Sequence, residues 1–206
     1  MTGQYERPPH YDERDITLTP KMLRGLVHPL RLRLMQLLRD EGPSTASKLG
    51  QRIGQSSGVT SYHLRILADL GFIAEDAERG NGRDRWWRAT YRWLDFTFRT
   101  PEDPGDPETL ELATEYIRTG TTIAFERVMA FVDSLSARAR ELPTSPWKFS
   151  VTPMRLTHEQ ARELSEQVMA LVDRYARQPG DPDPEPGTVR AVFQFQMIPD
   201  DTEEAR

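Results

Sequence analysis

Apolar positions recur along this chain with helical spacing, then with alternating spacing, then with helical spacing again. Thr19-Pro20 has the form of a capping residue followed by proline at the first helical position, which predicts a short helix to about Val27. His28-Pro29 repeats the device and opens a second helix, with Leu30, Leu34, Leu37 and Leu38 facing inward and Glu41-Gly42-Pro43 ending it. Ser44 or Thr45 caps a third helix carrying Ala46, Leu49 and Ile53 on one side, and Gly54-Gln55 turns the chain. A fourth helix runs from Ser57 to Leu70, capped by Ser56 and stopped by Gly71, with Val59, Leu64, Leu67 and Leu70 towards a core. Phe72 to Glu78 and the aromatic-rich Arg85 to Arg92 flank Gly80-Asn81-Gly82, the turn chemistry of a β-hairpin.

Helices with a tight turn between the third and fourth, followed by a hairpin, predict a winged helix-turn-helix over residues 17–99. Residues 1–16 are expected to be a flexible arm and 100–107, rich in Pro, Asp and Gly, a linker. Beyond lies a region, 108–206, expected to mediate dimerisation. Glu108 to Leu142 fits one long helix, with Leu110, Ala113, Ile117, Ala124, Val128, Phe131 and Leu135 at three-four spacing and Gly120 as a kink. At about 1.5 Å per residue it reaches about 50 Å, long enough to suggest contact with a second copy, the alternative being packing within its own chain. Trp147, Phe149 and Val151 alternate as a strand, as do Val189, Ala191, Phe193, Phe195 and Met197. Thr157-x-x-Gln160 forms a capping box for a helix with Ala161, Leu164, Val168, Leu171 and Tyr175 inward. The fold class is therefore mainly α with small β (α+β): a winged helix-turn-helix plus a C-terminal domain of a long helix, a second helix and two strands.

The fourth helix carries the candidate chemistry. Ser57, Thr60, Ser61, Tyr62 and Arg65 lie towards its outer face, with no acid before Asp69. Short hydroxyls, a phenol and a guanidinium match base edges and phosphates. His63 either packs at the helix-turn-helix or meets phosphate. Thr45 and Ser47, at the start of the preceding helix, are placed for phosphate contact, and Arg79, Arg83 and Arg85 flank the hairpin tip for backbone or minor groove. Of Trp86 and Trp87 at least one must face the core.

Charge sharpens this. The net charge of −5 conceals thirteen Lys and Arg against seven Asp and Glu between residues 21 and 93, and twelve against twenty-one from 94 onward. A basic module in an acidic chain fits nucleic acid. Cysteine is absent, which removes disulfides and thiolate metal sites, and the four histidines His10, His28, His63 and His158 are scattered, so no metal or cofactor is expected. No apolar run approaches the roughly 20 residues of a membrane span and no secretion signal opens the chain, so a cytoplasmic location is the expectation.

His28-Pro29-Leu30-Arg31-Leu32-Arg33-Leu34, then Ser61-Tyr62-His63-Leu64-Arg65-Ile66-Leu67 and Gly71-Phe72-Ile73, resemble the ArsR-like winged-helix transcriptional regulators of bacteria, in particular the branch with an extra C-terminal domain. The resemblance covers roughly residues 18–93. It implies a homodimeric, usually repressing, regulator on a partly palindromic operator of double-stranded DNA, released by an effector. The chain lacks the cysteine and clustered histidine ligands of the metal-sensing members. Trp147, Phe149, Met154, Met169, Tyr175, Phe193, Phe195 and Met197 are candidates either for an apolar small-molecule effector pocket or for an ordinary core. Two other function classes fit parts of the sequence. One is a winged helix that serves only as a protein-interaction module. The other is a serine hydrolase, because Gly54-Gln55-Ser56-Ser57-Gly58 fits the nucleophile-elbow pattern, although a helix rather than a strand precedes it.

Overall fold

The computed structural model describes residues 15–79, 84–91, 94–95, 107–140, 147–176, 181 and 185–199. Two compact units emerge, one built from the described residues up to Leu135 and the other from the described residues from Ser136 onward.

In the larger unit the first four helices each begin where a side chain can take up an orphan backbone N–H. Thr19 caps α1 (Pro20–Leu26), and His28 caps α2 (Pro29–Glu41) by accepting from the Leu30 amide at 3.2 Å. Strand β1 (Ile16–Thr17) precedes them and pairs in parallel with β5 (Leu94–Asp95). Ser44–Thr45 forms a short strand, β2, before Thr45 caps α3 (Ala46–Ile53). Gly54 takes a left-handed φ of 67°, a conformation that strains any residue bearing a β-carbon, and so turns the chain sharply into Ser56, the cap of α4 (Ser57–Asp69). Gly71, at φ 83°, then turns the chain towards β3 (Ile73–Glu75). β4 (Trp86–Ala89) lies between β2 and β3, antiparallel to both, with Ser44 opposite Trp87 and Ile73 opposite Ala89. The hairpin is therefore shorter than its sequence suggests and gains a third strand from the start of α3. Its Gly80-Asn81-Gly82 turn lies outside the described residues.

One core joins these elements: Leu23, Leu26, Leu34, Met35, Leu38, Leu49, Leu64, Leu67, Phe72 and Trp87 are all buried in it. Burying a side chain of this size is worth about 1.5–3 kcal/mol. Helix α4 departs from the expected inward face. Val59 is 41% exposed, while Thr60 is 1% exposed and donates its hydroxyl to the Ser56 carbonyl at 2.9 Å. A threonine can bury here because its hydroxyl bonds back to the turn before it.

Helix α5 (Pro107–Asp133) belongs to this same unit and packs on α1 and α2. It ends earlier than Leu142 and runs unbroken through Gly120. Its inward face is Thr109, Ala113, Thr119 and Ile123, with Tyr116 packed against the core. The stripe expected inward is in part outward: Leu110, Ile117 and Phe131 are exposed. Exposed ion pairs link α5 to α1 and α2, Arg24 with Glu108, Arg33 with Glu126 at 2.5 Å, and Arg127 with Asp40 at 2.8 Å.

The second unit contains α6 (His158–Asp173), which begins with the expected capping box between Thr157 and Gln160. The two expected strands do not form: residues 147–157 and 188–199 run without regular structure. An alternating segment becomes a strand only when an edge accepts its hydrogen bonds and a surface covers its apolar side. Here Phe149 stays 84% exposed, and no described residue of the unit is buried. The aromatic and methionine side chains proposed above as pocket or core enclose neither among the described residues.

Candidate nucleic-acid interface

The exposed side of α4 faces a cleft of about 310 Å³ lined by Thr45, Ala46 and Ser47 from the start of α3, Ser57, Ser61 and Arg65 from α4, and Asp84, Arg85 and Trp87 from the wing. Three separate segments of sequence thus converge. The spacing of Ser57, Ser61 and Arg65, one helical turn apart, puts them in a row along α4. Strand β2 brings the start of α3 to the same place, because pairing Ser44 and Thr45 with Trp87 and Trp86 ties that helix terminus to the wing.

Six of the eleven sequence-expected residues therefore line one groove: Thr45, Ser47, Ser57, Ser61, Arg65 and Arg85. Their roles are not equal. Thr45 is buried and its hydroxyl accepts from the Lys48 amide at 3.4 Å, so it is first of all the cap of α3. Ser47, Ser57 and Arg65 are exposed, and Arg65 forms no ion pair among the described residues. Arg85 pairs with Glu75 at 3.1 Å and lies 5.6 Å from the centre of the Trp87 ring.

The other five divide. Tyr62 stands beside the groove, 60% exposed. Arg79 is on the wing, paired with Asp76 at 3.5 Å. Arg83 lies outside the described residues. Both Thr60 and His63 face inward: Thr60, closed against the Ser56 carbonyl, is a correction, while His63, only 6% exposed with its ring against His28, takes the packing alternative. Helical geometry explains this, since Thr60, His63, Leu64 and Leu67 share one face, which Ser57 and Ser61 flank and from which Arg65 turns away.

Sequence reasoning missed Lys48, Asp84 and Trp87. Lys48 stands over the Trp86 ring at 4.4 Å, so its cation is held next to the groove mouth. Its place in the first turn of α3, beside Thr45 and Ser47, is the sequence signal for it. The contact with Trp86 depends on β2, a two-residue strand with no sequence signature. Asp84 puts one carboxylate among the groove residues. Gly54 to Gly58, the hydrolase-like pattern, spans the turn between α3 and α4 and the first two residues of α4, with Ser56 Oγ accepting from the Val59 amide at 3.3 Å.

Two histidines lie just behind this surface. Burial lowers the pKa of His28, the Arg31 charge lowers it further, and a backbone hydrogen bond acts in the opposite sense. Burial also lowers that of His63, together with the charges of His28 and Arg31. Among the described residues no cluster of His, Asp and Glu is arranged to hold a metal ion, and no helix is long and apolar enough to cross a membrane.

Residues 26–76 match a protein family described as "Helix-turn-helix domain". The motifs that resemble ArsR-like regulators fall inside that match, and these residues form a helix-turn-helix domain. Among solved structures, the chain is similar to a possible transcriptional regulator for arsenical resistance, at 24% identity, covering 55% of this chain and 96% of that one with a TM-score of 0.30. It is also similar to ZitR of Lactococcus lactis in complex with DNA, at 19% identity over 84% and 86% of the two chains, TM-score 0.26. A third is the adhesin competence repressor AdcR of Streptococcus pyogenes, at 11% identity over 72% and 81%, TM-score 0.30. A search of curated proteins found no match.

Proposed function

We propose that the helix-turn-helix domain at residues 26–76 makes this chain a sequence-specific, DNA-binding transcription regulator, a cytoplasmic bacterial homodimer that represses from a partly palindromic operator. One observation carries the reading. Hydroxyls and cations from α3, α4 and the wing converge on a single polar groove beside the exposed row of α4, inside the basic part of the chain. In this reading α4 enters the major groove. Ser57, Ser61, Tyr62 and Arg65 meet base edges or flanking phosphates, and Ser47, Lys48, Arg79 and Arg85 meet the backbone. A module that only bound proteins would present apolar anchors on this surface, where the structure has serines and arginines.

The dimer is supported by a second apolar stripe on α5. Leu110, Ile117, Phe125 and Val132 are exposed along one side, away from the Thr109–Ala113–Ile123 face that packs on α1 and α2. A dimer joined there carries two α4 helices, and a partly palindromic site is what two symmetric readers recognise.

Selection of genomic fragments by the purified protein, followed by sequencing and gel shift, tests the proposal. Enrichment of a short inverted repeat is the expected result. Failure to retain any duplex at low salt overturns it.

A further inference from the structure

His28, Arg31 and His63 form a basic cluster that the groove does not use. The His28 and His63 rings are 4.4 Å apart between centroids and tilted by 49°, and Tyr62 meets His63 edge-on at 5.2 Å and 71°. Arg31, in the first turn of α2, is half-buried and makes no side-chain hydrogen bond or ion pair with any described residue. Its Nε is buried without a partner, and so is Nδ1 of His63. The nearby arginines differ: Arg33 meets Glu126 and Arg24 meets Glu108.

The charges acting on the cluster come from within it and from Tyr62. Arg31 and His28 act from α2, and Tyr62 and His63 from α4. α3 and β3, which also pack on α4, contribute no carboxylate to it among the described residues. A guanidinium cannot shed its charge, so a half-buried one without a carboxylate is suited to an anion supplied from outside. Tyr62 links the cluster to the outer face of α4, since it is exposed beside Ser61 and Arg65 while its ring lies on His63.

We infer that Arg31, backed by His28 and His63, receives a backbone phosphate of the DNA duplex docked on α4, and that the histidine pair takes up a proton as it does so. This rests on the DNA-binding reading and extends it to a second contact, outside the groove, that makes affinity depend on pH. Arginine suits the phosphate because its planar fork can donate two parallel hydrogen bonds. In the free protein, burial and the Arg31 charge keep the imidazoles neutral near pH 7. A phosphate at Arg31 offsets that charge and favours the imidazolium form.

Fluorescence anisotropy with a mixed-sequence duplex of about 30 base pairs, titrated across salt at pH 8 and pH 6, tests the inference. Wild-type affinity should tighten severalfold at pH 6, by no more than about tenfold per pH unit for each proton taken up. Arg31→Gln should flatten the salt slope by about one and lose the pH response, although His10 and His158 remain. Arg65→Ala should weaken binding and keep the pH response. Calorimetry of the wild-type protein in two buffers of different ionisation heat should show proton uptake on binding, independent of whether any variant folds. A wild-type affinity that is flat or weaker at pH 6, or an Arg31→Gln variant with the wild-type slope, overturns the inference while leaving the DNA-binding reading intact. No binding at either pH at low salt overturns both.

Discussion

Gly50 and Thr60 meet where α3 and α4 cross: a β-carbon on Gly50 would stand 3.0 Å from Thr60 Oγ1 and 2.7 Å from the Gln55 carbonyl oxygen. That contact sets how closely the two helices of the helix-turn-helix approach. Alanine at position 50 gains up to about 1 kcal/mol in helix propensity, but overpacking against a backbone carbonyl costs about 1–3 kcal/mol. Gly50→Ala should therefore destabilise the protein, and Gly50→Val more so, as measured by the urea midpoint. An unchanged midpoint for both would mean that the crossing yields easily.

Arg65 is expected to contribute the largest single DNA contact, because it lines the groove on the exposed row and is not held by an ion pair among the described residues. Arg65→Ala should weaken binding to a selected site by about 1–3 kcal/mol, roughly 5- to 150-fold. A gel shift on matched and mutated sites checks this. Equal losses on both would assign Arg65 to phosphate rather than base.

On the wing, Arg85 is held by Glu75 at 3.1 Å, and a phosphate must compete with that carboxylate. Glu75→Gln removes the competitor and one negative charge near the duplex. Affinity should rise severalfold at low salt and converge with the wild type at high salt, where exposed charges are screened. Anisotropy titrations at two salt concentrations read this directly, and weaker binding by the variant would place Arg85 away from the backbone.

Much of this site was legible in the sequence because local chemistry decided it. Thr19, His28, Thr45 and Ser56 cap helices where their residue types say they should, and Gly54 turns the chain where a left-handed residue is required. The errors came where tertiary packing overrode residue type. Thr60 read as a surface hydroxyl because a buried threonine needs a specific acceptor, here the Ser56 carbonyl, that hydropathy does not reveal. Helix α5 has two apolar sides, and spacing alone did not say which one packs on α1 and α2. The alternation of Val189 to Met197 matches a strand, yet alternation supplies neither a pairing edge nor a covering surface.

Half-buried His28 and buried His63 predict an acid limit to stability in the free protein. Both His28 and His63 have lowered pKa values, so the unfolded chain binds protons more readily than the folded one as pH falls below about 6.5. Their contribution is fully present above that value and is lost as pH drops towards the folded-state pKa values. The melting temperature of DNA-free protein should fall between pH 7.5 and pH 5. His63→Gln should lower the melting temperature at pH 7.5 but reduce its change with pH. A wild-type melting temperature that is flat over that interval would show that the imidazoles stay hydrated.

The exposed stripe on α5 makes the assembly testable with one side chain. Phe125 is 61% exposed, in line with Ile117 and Val132 and away from the face that packs on α1 and α2. Nothing in the larger unit's own fold requires a phenylalanine there, whereas a helix–helix contact between two copies gains from burying it. Phe125→Glu should leave the melting curve of the isolated chain almost unchanged, since surface substitutions stay within about 0.5 kcal/mol. In a dimer the same change buries two carboxylates against apolar surface and should shift the protein to monomer at micromolar concentration. Sedimentation velocity reads the mass, and a gel shift reads the consequence. A monomer reaches only one half-site, so affinity for a selected inverted repeat should drop far more than affinity for a single half-site. A variant that stays dimeric with wild-type affinity for the repeat would move the dimer contact off this face of α5.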